Sequence, residues 1–75
     1  MGLFDRRKAM VSLTPLGKIK VENQELAGKR AQIANDIADS GSGNCDDIAH
    51  RLGWDVDEVK LNVRSMIADG YCTAS

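Results

Sequence analysis

Apolar positions recur along this chain with a helical period in three stretches, each fenced by capping residues and glycines. The clearest runs from Asn44 to Tyr71. Ile48, Ala49 and Leu52 form one apolar stripe, with Cys45 one turn earlier as a small hydrophobe. Asn44 suits the N-cap of this helix, and Asp47 three residues on favours its positive end. Gly53 suits the left-handed residue that closes it. Asp55 then caps a longer helix, with Glu58 completing a capping-box pattern. Val56, Val59, Val63, Met66 and Ile67 fall on one face of that helix, and Gly70 stops it.

Two helices joined so closely cannot cover each other's apolar faces alone. Upstream, Leu26, Ile33 and Ile37 recur at steps of seven and four, with Arg30 in one gap and Ala34 and Ala38 widening the stripe. This predicts a helix from about Gln24 or Leu26 to Asp39, and Ser40-Gly41-Ser42-Gly43 ends it as a flexible loop. Thr14-Pro15 signals a further helix start, and a short helix over residues 15–22 is favoured over a strand, although Gly17 weakens it and Ile19 and Val21 alternate. Val11-Ser12-Leu13 is a short β-prone run. Tyr71-Cys72-Thr73 begins another and is expected to pair with it, giving a minimal sheet against the helices. Residues 1–10 read as a mobile basic arm, and residues 11–75 as one small domain.

With these elements in place, Asp47-Ile48-Ala49-x-x-Leu52-Gly53 followed by Val59-x-x-x-Val63-x-x-Met66-Ile67-x-x-Gly70-Tyr71 resembles the helix-turn-helix core of winged-helix proteins. Leu13-Thr14-Pro15-Leu16-Gly17-Lys18 is similar to a segment found beside such domains in prokaryotic and viral regulators. The resemblance implies a mostly α, three-helix winged-helix-like fold, with a positioning helix, a recognition helix and a β wing after the glycine. Only Ala74 and Ser75 follow Thr73, so a minimal or truncated wing is expected. The function implied is nucleic-acid binding, duplex DNA first, as a small transcriptional regulator. The alternative is a winged helix that binds protein, since domains of this class do either.

Charge changes that picture. Residues 1–30 carry seven Lys/Arg against three Asp/Glu, a surplus of four; residues 31–75 carry three against eight, a deficit of five. A groove-reading helix presents Arg, Lys, Asn or Gln. Here Arg64, Lys60 and Ser65, helped by Arg51, are the candidate groove contacts, and Arg6, Arg7 and Lys8 of the arm are the candidate phosphate contacts, with Lys18, Lys20, Lys29 and Arg30 behind them. The helix start holds Asp55, Asp57 and Glu58, which repel phosphate. Leu61, with Ala68 a further two turns along and Asp57 one turn before, instead suits a protein partner or a homodimer seam.

The composition narrows the class further. The chain is 43% hydrophobic but holds only Phe4, Trp54 and Tyr71 as aromatics, which points to helices packed through aliphatic side chains. No stretch has the ~20 apolar residues that span a bilayer. Gly2 sits where myristoylation needs it, but Arg6 replaces the required hydroxyl residue, and Leu3, Phe4 and Met10 make at most a weak amphipathic start. Cys45 and Cys72 form no disulfide framework, and a reduced, cytoplasmic setting is expected. Cys45, His50 and Cys72 lack zinc-site spacing, Gly41-Ser42-Gly43 lacks the lysine of a phosphate loop, and no serine has a His/Asp partner. No catalytic residue, metal ligand or cofactor is expected.

Overall fold

A computed structural model describes residues 9–75. Arg6, Arg7 and Lys8, proposed above as phosphate contacts, and Gly2, Leu3 and Phe4 lie outside the described residues. The chain runs β1 (Val11–Leu13), α1 (Pro15–Glu22), α2 (Gly28–Ser40), α3 (Cys45–Leu52), α4 (Val56–Ala68) and β2 (Cys72–Ala74). It is mostly helical, with a two-stranded antiparallel sheet. The described residues hold four helices: the short one expected over residues 15–22, found as α1, stands beside the three that the resemblance implies.

The expected strand pairing is found: Leu13 faces Cys72, Ser12 faces Thr73 and Val11 faces Ala74. Reciprocal backbone bonds between Met10 and Ser75, at 2.9 and 3.0 Å, extend the ladder by one pair. Ala9 is buried as well, so the packed part of the chain reaches back into the segment read as an arm. The glycine-serine loop is pinned rather than free. Val11 N–H donates to Gly43 O at 2.8 Å, and Gly43 N–H donates to Val11 O at 3.0 Å. β1 is therefore bonded on both edges.

Each helix start follows from its cap. Thr14 Oγ1 accepts from Gly17 N at 3.0 Å, with Pro15 in the first turn of α1. Asn44 accepts from Asp47 N at 2.8 Å ahead of α3. Asp55 accepts from Asp57 N at 2.9 Å ahead of α4. Gly53 takes the left-handed conformation, φ 72°, that closes α3 and turns the chain into α4. The capping box is only half made, because the Glu58 carboxylate pairs with Lys29 instead of turning back. α2 also begins later than its periodicity predicts. Gln24 has a positive φ of 54°, which breaks the helical path, so Leu26 packs on the core from the linker rather than from a helix.

The core lies between the sheet and helices α2, α3 and α4. Ile33, Ile37, Ile48, Val59, Val63, Met66 and Val11 are fully buried, and Leu52, Trp54, Val56, Ile67 and Tyr71 close its rim. Each large aliphatic side chain buried this way contributes roughly 1.5–3 kcal/mol. The inward face of α4 is thus the one its spacing predicts, with Val56 and Ile67 at the edge.

α1 packs on α2 and β1, and its N-terminal end meets the chain between α4 and β2 along a narrow seam. Thr14 N donates to Tyr71 O at 3.0 Å, and Thr14 Oγ1 donates to Gly70 O at 2.6 Å. A Cβ on Gly17 would stand 2.1 Å from Tyr71 O, so the residue that weakens α1 as a helix is what lets α1 approach β2.

Candidate interaction face

α4 packs Val59, Val63 and Met66 inward, which turns Asp57, Leu61, Arg64 and Ala68 outward. Their 4-3-4 spacing keeps them on one stripe, diametrically opposite the buried residues at about 100° per residue. Leu61, at the middle of that stripe, is 68% exposed, the most open large hydrophobic side chain among the described residues. Ser65 is exposed beside it, while Glu58, Lys60 and Asn62 are half-buried on the flanks. Asn62 Nδ2 donates to Glu58 O at 2.8 Å, so it is spent on its own helix.

The acidic residues at the start of α4 have different fates. Asp55 is a cap and Glu58 is paired with Lys29. Asp57 is exposed, and its carboxylate makes no ion pair among the described residues. Helix capping therefore explains Asp55 but not Asp57.

Four of the cations considered as phosphate contacts, Arg51, Lys29, Arg30 and Lys20, are held by carboxylates of the same chain. Arg51 grips Asp36 with two forks: Nε donates to Oδ1 at 2.9 Å and Nη2 to Oδ2 at 2.7 Å. That bond raises the guanidinium pKa further above its ordinary value. Lys29 pairs with Glu58 and lies over the Trp54 ring, 5.7 Å from its centroid. Arg30 pairs with Asp69 and lies over Tyr71 at 5.5 Å. Lys20 pairs with Glu25 at 3.1 Å, and this hydrogen bond, helped by Asn23, holds the Glu25 carboxyl below its ordinary range. The Arg51, Lys29 and Arg30 pairs tie α2 to α3 and to the two ends of α4, while Lys20–Glu25 braces α1 against the linker that follows it. Such exposed pairs do not prevent nucleic-acid binding, but a phosphate must compete with each one.

Of the residues singled out for a groove, Arg64 and Ser65 share the outer half of α4 with Lys60 at its edge, while Arg51 sits on α3 and is engaged with Asp36. Lys60 makes no ion pair among the described residues. Lys60 and Arg64 both lie close enough to the start of α3 to act electrostatically on Cys45. Cys45 and Cys72 are buried, and burial pushes each thiol up to about 11. His50 is exposed on α3. Among the described residues no group of three or more His, Cys, Asp and Glu side chains is placed to hold a metal ion.

A second surface was not singled out by the sequence pattern. Leu16 and Ile19 of α1 are 44% and 50% exposed, and a separate side of the same helix, through Lys18, Val21 and Glu22, borders a groove of about 320 Å3 with Leu13 and Ile37. Its signal in the sequence is the Ile19–Val21 alternation, which bears equally on helix or strand and does not by itself mark an exposed apolar surface. Among the described residues no helix is long and apolar enough to cross a membrane. Comparison with protein-family models, with curated proteins and with solved structures gave no match, so the chain's own geometry carries the functional argument.

Proposed function

We propose that this chain is a winged-helix-like interaction module that docks a protein through the outer face of α4. The single observation that carries the reading is Leu61, 68% exposed at the centre of a stripe that also bears Asp57, Arg64 and Ala68. A groove-reading helix is expected to lead with cations or amides; α4 leads with Asp55, Asp57 and Glu58. Across residues 9–75, seven Lys/Arg stand against ten Asp/Glu, and at least four of the seven are held in ion pairs.

The winged-helix likeness is supported by the order of elements. α3, the tight turn at Gly53 and α4 match the positioning and recognition helices of the resemblance, and β2 follows Gly70 as its wing strand does. The second wing strand in this reading is β1, so the pair is drawn from opposite ends of the described chain.

Duplex DNA binding is the second reading, as a small regulator that reads the groove with Arg64, Lys60 and Ser65. It is favoured by the outward position of Arg64 and Ser65, and it would recruit Arg6, Arg7 and Lys8 to the backbone. The discriminating experiment is titration of a labelled random duplex at ~50 mM salt, where nonspecific phosphate binding is strongest. Protein docking predicts no saturable binding. Binding that falls steeply with salt and is lost in Lys60→Ala and Arg64→Ala overturns it in favour of DNA.

A further inference from the structure

The outer stripe of α4 reads acidic, apolar, basic, small from its N-terminus: Asp57, Leu61, Arg64, Ala68. We infer that its partner is a second copy of this chain, docked α4 to α4 about a two-fold axis that crosses the helix at Leu61. The inference rests on α4 being a protein-docking face.

Charge order along the stripe selects this pairing. Asp57 precedes Leu61 by four residues and Arg64 follows it by three, about 6 Å and 4.5 Å along the helix axis. A two-fold axis at Leu61 reverses the second helix. Arg64 then lies within about 1.5 Å, along the axis, of the second copy's Asp57. Symmetry makes the contact twice, as an isologous interface requires. Leu61 meets its own copy at the centre, and the small side chains Ser65 and Ala68 leave room for the facing helix to approach. Asp57, which has no ion pair among the described residues, gains a cationic partner. A parallel arrangement would instead set Asp57 on Asp57 and Arg64 on Arg64, so the sequence of charges selects the antiparallel one. The pairing uses the same face a DNA groove would occupy, and the two occupants exclude each other.

One helix face is a narrow seam. The 13 residues of α4 span roughly 20 Å, which belongs with weak, transient contacts rather than obligate dimers. Self-association is therefore expected at high micromolar concentration and above, and not in dilute solution.

The test is a charge exchange read by sedimentation equilibrium at concentrations up to about 1 mM. Wild type self-associates. Asp57→Arg and Arg64→Asp each place like charges opposite one another twice, and each sediments as a monomer with at least tenfold weaker association. An equimolar mixture of the two variants restores dimer, because each copy then offers the charge the other needs. Restoration also shows that both variants are folded. A wild type that stays monomeric throughout, or a mixture no more associated than its components, overturns the proposal. A monomeric wild type that also ignores duplex leaves docking by α4 standing with a different protein; a wild type that binds duplex through Arg64 sinks both readings.

Discussion

Gly17→Ala separates local helix propensity from tertiary contact by sign. Gly17 lies inside α1, where replacing glycine with alanine ordinarily stabilises a helix by about 1 kcal/mol. Here the new Cβ would meet Tyr71 O at 2.1 Å and Tyr71 C at 3.0 Å, with Leu13 Cδ2 at 3.3 Å. The first two are backbone atoms and cannot swing aside. The seam between α1 and β2 must open, which strains the Thr14 N to Tyr71 O and Thr14 Oγ1 to Gly70 O hydrogen bonds. Two such bonds are worth about 1 kcal/mol each, and forced overpacking costs about 1–3 kcal/mol more. Set against the propensity gain, the net loss is about 2–4 kcal/mol. In a domain of this size each kcal/mol moves Tm by about 4–8 °C, so a fall of roughly 10–30 °C is expected by thermal circular dichroism. A variant as stable as wild type, or stabilised by the ordinary helix gain, refutes the close approach of α1 to Tyr71.

Other substitutions probe the remaining joints. Asn44→Ala removes the acceptor for Asp47 N and should cost about 1 kcal/mol in urea unfolding. Met66→Ala empties a fully buried site between α4 and the sheet and should cost about 2–5 kcal/mol in the same assay. Asp36→Ala leaves Arg51 without its fork, and because the Arg51 guanidinium stays open to water the loss should stay within about 1 kcal/mol. The thiols give a pH prediction. Their folded pKa of about 11 lies above the ordinary 9.0, so the stability they contribute is intact below pH 9 and is lost as pH rises through about 11. Urea midpoints should accordingly fall across that window in wild type, and less so in a Cys45→Ala variant.

Local signals in the sequence carried far in this chain. Thr14, Asn44 and Asp55 cap the helices they precede, Gly53 turns α3 into α4, and Val11-Ser12-Leu13 meets Cys72-Thr73. Each of these depends on residues a few positions apart, or on β-prone runs with no other partner. Apart from the late start of α2, set locally by the positive φ of Gln24, the failures involve distant groups. Gly17 reads as a helix weakness until the Tyr71 carbonyl, more than fifty residues away, is beside it. Glu58 fits a capping box by spacing, but Lys29 of α2 claims its carboxylate. Arg51 reads as a phosphate contact until Asp36 is opposite. Gly43 looks like loop and is a sheet partner of Val11. The outer stripe of α4 was legible, since helical periodicity places it once the core face is known; which cations the chain's own carboxylates claim was not, because that depends on how α2 packs on α3 and α4.

The most direct test of α4 as a protein-docking face is a set of amide nitrogen–proton spectra of the wild-type chain, recorded first across rising concentration and then with duplex added at ~50 mM salt. The account predicts concentration-dependent shifts centred on Asp57, Leu61, Arg64 and Ala68, and none on adding duplex. Spectra indifferent to concentration, with duplex-induced shifts at Lys60, Arg64 and Ser65, would contradict it.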